Sequence, residues 1–278
     1  MAQTSESQVL NPEITIDDFI NPHPSREILL RMVNRDDVST VSAVEEIVAL
    51  TRAAGQNDTL SGHANIVTAT LIALAKRIPY DQQSKLVEFA VRLAQTTVPD
   101  PTEGGVLCFH IGSGRIPFWS RMPQFSEHLS EEWLRNFRVT HDDRLRNLDY
   151  ANLVAFYAQL ADIKFQDLSY NSSWDNPQLR QLHNNNELTR QDVRVGCMWF
   201  IHAPKKAWLD IHIVNDDGSH PELWRRWKQY LQDYQFSDDG SDAEFQRVVW
   251  CALESMDRTE AELEINGSAP FVWREYGT

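Results

Sequence analysis

Apolar residues recur at spacings of three and four along most of this chain, and that recurrence predicts a succession of helices. Ser25 to about Arg35 carries one such pattern. Val38 to Ala54 carries a second, with Val41, Val44, Val48 and Thr51 in line, Ser39 or Thr40 placed to cap it and Gly55 placed to stop it. From Gly62 to Lys76 the face is Val67, Thr70, Leu71 and Leu74, and Pro79 ends the pattern. Asp81 then stands as the expected N-cap of a helix to about Gln95 that turns Leu86, Phe89, Ala90 and Leu93 inward. Trp133, Leu134 and Phe137 predict a short helix after Ser130, and Leu145 to Ile163 predicts a long one buried along Leu153, Phe156, Tyr157 and Leu160. Helical segments follow over residues 187–203, 221–236 and 242–256. In the second, Trp224, Trp227, Leu231 and Tyr234 form one stripe; in the third, Phe245, Val248, Val249 and Leu253 face inward.

Two stretches break the period. Val98 to Pro123 is rich in proline and glycine and predicts a long loop around the apolar run Val106 to Ile111. Trp208 to Val214 alternates as a strand would, although helices flank it, and the pattern leaves both readings open. Residues 1–24 are polar, with Pro12, Pro22 and Pro24 and only Ile14, Ile16, Phe19 and Ile20 as apolar anchors, which predicts an extended arm. The expected architecture is all-α: an N-terminal arm over 1–24, one domain of about eight to ten helices over 25–260 with an aromatic-rich core, and a tail over 261–278.

Composition narrows the partners. With 278 residues, 42% of them hydrophobic, the chain can bury a sizeable core. A net charge of −14 and a pI near 5.0, relieved only by the pairs Lys205-Lys206 and Arg225-Arg226, would repel a phosphate backbone, so nucleic acid is excluded as a partner. The first twenty residues lack a basic segment followed by an apolar run, and nowhere do eighteen apolar residues follow one another, so no membrane association is expected and the cytoplasm is the expected location. Cys108, Cys197 and Cys251 are odd in number and far apart, which suits reduced thiols. The sequons at Asn57, Asn171 and Asn266 are expected to stay unmodified.

Candidate chemistry gathers around tryptophan. Trp199, Trp208, Trp224, Trp227 and Trp250 are concentrated in one part of the chain, and such a cluster builds either a dense core or the wall of a pocket for an apolar ligand. On the second reading Trp119, Phe156, Tyr157, Trp199, Trp224 and Trp227 would bind an apolar small molecule. His202, three residues after Trp199 on a presumed helix, is the candidate general acid or base; its plain alternative is a hydrogen-bonded core or surface histidine. Glu254, four residues after Trp250, would serve as a proton donor if desolvated beside that pocket; its plain alternative is an ion-paired helix residue. Asp210 and His212 supply at most two ligands with no third in reach, so no metal is expected. The run from Cys108 to Arg115 has Pro117 where a dinucleotide fingerprint needs its third glycine, and no βαβ pattern surrounds it. No cofactor is expected, and Gly112-Ser113-Gly114 lacks the spacing of a hydrolase elbow.

Four segments taken in order, Asn152 to Leu160 (NLVAFYAQL), Gly196 to Ala203 (GCMWFIHA), Leu223 to Trp227 (LWRRW) and Cys251 to Met256 (CALESM), resemble the domain-of-unknown-function 3632 family. The resemblance implies a helical protein of a fungal cytosol, from a family often encoded near secondary-metabolite pathways; it carries over no catalytic residue. Gly104 to Pro117 is where the chain departs most from that pattern. The function expected is therefore a cofactor-independent cyclase or isomerase, pericyclase-like, acting on a polyketide- or terpenoid-like intermediate by shape, exclusion of water and one hydrogen-bond donor. The other class in view is a non-catalytic helical scaffold or ligand-binding protein with a protein partner.

Overall fold

The computed structural model describes residues 23–137 except 103, 112 and 113, together with 144–163, 188–213, 220–237 and 242–263. The expected arm and tail lie almost wholly outside these residues. The fold is all-α, interrupted by one short hairpin. The chain divides into two compact units, Met1–Asp142 and Asp143–Thr278.

The first unit holds α1 (Pro24–Asn34), α2 (Thr40–Gln56), α3 (Leu60–Arg77), α4 (Ser84–Gln95), the strands β1 (Cys108–Ile111) and β2 (Gly114–Pro117), and α5 (Phe125–Phe137). Leu29, Met32, Ile47, Val67, Leu71, Leu86 and Phe89 make its core. Ser39 is the cap of α2, accepting a hydrogen bond from the Ser42 amide. Gly55 does not stop that helix, which runs on to Gln56; the left-handed turn falls on Asp58, at φ 55°. Nor does Asp81 cap α4. Tyr80–Gln82 is a 3-10 turn, and the fully buried Gln83 instead donates its side-chain amide to the carbonyls of Ala75 and Ile78, closing the end of α3.

The segment expected as a plain loop is partly ordered by pairing. Cys108 to Ile111 lies antiparallel to Gly114 to Pro117, and a bridge joins Pro99 to Val106 across Gly104 and Gly105, both at positive φ where a side chain is strained. After β2, Phe118 and Trp119 are buried, and the chain turns into α5 through Met122 and Gln124, both left-handed, on either side of Pro123.

The second unit holds α6 (Arg144–Asp162), α7 (Arg190–His202), α8 (Pro204–Ile213), α9 (His220–Ser237) and α10 (Ala243–Glu262). Trp208 to Ile213, ambiguous in sequence, is helical because Pro204 starts a helix directly after Ala203 ends α7. Helix α7 is the centre of this unit, packing against α6 on one side and α10 on another. Every residue from Val193 to Phe200 is buried, so the helix is enclosed all round, which accounts for the lack of a polar face in Gly196 to Phe200. A capping box starts it: Thr189 accepts from the Asp192 amide, and the Asp192 carboxylate accepts from the Thr189 amide.

Candidate functional site

Helix α7 carries His202, one of the two candidate acid–base residues, and the candidate wall residue Trp199, so the site is built outward from it. Trp199 is 1% exposed, and its ring meets that of Tyr157, from α6, edge to face at 5.5 Å. Its indole N–H is buried and donates to no acceptor among the described residues. A buried donor left unsatisfied costs about 1–3 kcal/mol. His202 is the last residue of α7, half-buried, one turn beyond Trp199. Phe156 and Tyr157 are buried on α6.

Trp224 and Trp227 belong to another group. Phe200, the neighbour of Trp199 on α7, points to them instead, with its ring 5.4 Å from each, and Trp208 meets Trp224 edge to face at 5.1 Å. Trp224 donates its N–H to Glu260 Oε1 at 2.9 Å, and Lys228 closes the same carboxylate at 2.6 Å while reaching Asp257 at 2.5 Å. Burial pulls the Lys228 ammonium down, yet its hydrogen bonds to Asp257 and Glu260 hold its pKa above the ordinary lysine value. The six-membered ring of Trp227 lies against Gly196, where an added Cβ would come within 2.8 Å of it. Both indoles are fully buried in the core.

Trp119 belongs to the first unit. It is fully buried and donates its N–H to Thr51 Oγ1 at 3.1 Å. Glu254 lies on the exposed face of α10, its carboxylate half in solvent and 3.6 Å from Arg258 one turn on. The enclosed setting a proton donor needs is missing there, because Trp250, the indole expected to enclose it, is itself 53% exposed. The setting of Glu254 is that of its plain alternative, an ion-paired helix residue. Cys197 is buried and its thiol is pushed up by desolvation, with Arg194 acting the other way, so it stays protonated. The side chains of Asp210 and His212, and residues Gly112 and Ser113, lie outside the described residues.

One buried titratable cluster was not singled out in sequence. His63, on α3, is 4% exposed between Ser25 and Thr51, and its pKa falls to about 4, first through burial and then through the neighbouring His23. A signal for it exists: His63 continues the stripe of Val67, Thr70, Leu71 and Leu74 backward by one turn.

The fold thus defines a helical protein with an aromatic-lined interior and no helix, among the described residues, long and apolar enough to cross a membrane. The chain belongs to the family described as protein of unknown function DUF3632, whose model matches residues 69–250. No curated protein and no solved structure matches the chain.

Proposed function

We propose that this chain is a cofactor-independent enzyme of the cyclase or isomerase class, acting on an apolar, polyketide- or terpenoid-like intermediate at the α6–α7 face of the second unit. The observation that carries this reading is the buried indole N–H of Trp199, which has no acceptor among the described residues. A substrate carbonyl or hydroxyl would accept from that N–H, with Tyr157 and Phe156 as apolar wall and His202, at the end of the same helix, to relay a proton. On this reading Trp224 and Trp227, packed on Phe200, serve as core rather than wall, and Glu254 takes no part. The chemistry asks for positioning and one directed donor, which suits a site without a loud catalytic motif. The cytoplasm, in a fungal cell, is the proposed setting.

The test compares small-molecule extracts of host strains with and without the gene, by mass spectrometry, under conditions that express its neighbours. The strain lacking the gene is expected to accumulate an intermediate and lose an isomeric product. Complementation with Trp199→Phe, which keeps an aromatic side chain and removes the donor, or with His202→Ala, is expected to leave the product at a tenth or less, with far-UV circular dichroism unchanged. An unchanged extract beside an active neighbouring pathway, or full complementation by both variants, overturns the reading. The scaffold alternative has its own observation, the half-exposed Trp250 on the outer face of α10 beside Glu254, an arrangement suited to a protein partner.

A further inference from the structure

The polar cluster around His63 in the first unit takes no part in the proposed reaction. It has a defined proton arrangement. Thr51 Oγ1 lies 2.7 Å from the Ile47 carbonyl, 3.1 Å from Trp119 Nε1 and 3.0 Å from His63 Nε2. Its single hydroxyl proton goes to the Ile47 carbonyl, which can only accept, so both nitrogens must donate to the hydroxyl oxygen. The hydrogen of neutral His63 is therefore on Nε2. Nδ1 is then the acceptor, and the Ser25 hydroxyl, 3.4 Å away, is placed to donate to it. Ser25 and Thr51 are both fully buried. One imidazole thus joins the first turn of α1, the middle of α2, α3 and the segment after β2.

A second proton has no good place in this arrangement. It would sit on Nδ1, out of water, facing a hydroxyl oriented as a donor. From the α1 side the ring faces His23, 6.2 Å away between centroids, with Arg26 acting on His23 in turn. The neighbours from α2 and from the segment after β2 are Thr51 and Trp119, which do not titrate in this range. Helix α5 presents His128 and Glu132 to α3, but these bond Asn65 and Lys76 rather than His63. Among the described residues no carboxylate stands against the ring to stabilise an imidazolium.

We propose that His63 is a proton-sensitive lock of the first unit: neutral, it ties α1, α2, α3 and Trp119 together, and protonated, it releases them in a local opening. The closed form binds the proton less well than the opened one, in which the ring has an ordinary histidine pKa. Stability is therefore complete above about pH 6.5 and is lost as the pH falls from there towards about 4. The ratio of open to closed form rises about twentyfold between pH 7 and pH 5.

Hydrogen exchange of the full chain, read by mass spectrometry at pH 7, 6 and 5 and corrected for intrinsic rates, tests this. Amides of Ile28 to Met32, Thr51 to Ala54 and His63 to Val67 are expected to exchange about twentyfold faster at the lower end. In His63→Gln, whose side-chain amide can still donate and accept but cannot titrate, the rise is expected to vanish, while His23→Gln is expected to keep it. No rise in the unmodified protein, or an equal rise in His63→Gln, overturns the proposal. Should His63→Gln fail to fold, the ring of His63 is titrated by nuclear magnetic resonance in the unmodified chain. A midpoint near 4 accompanied by faster exchange supports the lock, and a midpoint at the ordinary value near 6.5 overturns it.

Discussion

Gly196 shows how much one missing side chain decides in this protein. The outer edge of the Trp227 ring comes within 2.8 Å of the place where a Cβ would stand, and that ring packs on Phe200 at 5.4 Å. Gly196→Ala gains about 1 kcal/mol of helix propensity in the interior of α7. It forces the displacement of a fully buried indole, however, for which overpacking costs about 1–3 kcal/mol and a ring so enclosed falls at the high end. A net loss of about 1–2 kcal/mol is expected in urea unfolding, together with changed near-ultraviolet circular dichroism from the shifted indole. A Gly196→Ala protein as stable as the parent would mean that α7 and α9 separate more easily than their packing implies. This contact also explains why the segments Gly196 to Ala203 and Leu223 to Trp227 are distinctive together: one holds the socket and the other the ring. The sequence offered both motifs but not their meeting, since nothing local to either says which indole fills the gap.

Helices were legible where one face is buried and misleading where burial is complete or reversed. Helix α10 buries Phe245, Val248, Val249, Ala252, Leu253 and Met256, a regular stripe that leaves Trp250 and Glu254 together on the opposite side. The same periodicity that turns Phe245, Val248, Val249 and Leu253 inward places Trp250 and Glu254 outward, apolar indole or not. The same helix runs to Glu262 rather than Met256, so Glu260, the acceptor for Trp224, lay beyond the stretch that periodicity marked. Helix α7 offers the reverse case: with no polar face, its start is marked chiefly by Thr189 and Asp192. Thr189→Ala removes the hydroxyl that accepts from the Asp192 amide at 3.2 Å and leaves that amide half-buried. A loss of about 1 kcal/mol is expected in thermal or urea unfolding of the full chain. Thr189→Asn, which also caps well, is expected to lose a few tenths at most; equal losses in the two variants would show that the hydroxyl is not what holds the start of α7.

For the molecule as a whole, the family match and the compact units do not share boundaries. The matched region, 69–250, begins inside α3 and ends inside α10, so it crosses from one unit to the other while cutting a helix in each. Removing residues 1–68 takes away α1, α2 and the first half of α3, and with them the buried Leu29, Met32, Ile47 and Val67 of the core that Leu71 and Phe89 share. Removing residues after 250 takes Ala252, Leu253 and Met256 from the core of the second unit. It also leaves the Trp224 N–H without Glu260 and Lys228 without either of its carboxylates. Apolar surface lost at both cut ends is worth about 25 cal/mol per Å², and the orphaned indole and ammonium add to that loss. A fragment spanning 69–250 is therefore expected to show weak helical signal and no cooperative thermal transition, whereas 23–263 is expected to melt cooperatively. A cooperative melt from the shorter fragment would mean that the matched region carries a core of its own, and that the flanking helices are additions to the family's fold rather than parts of it.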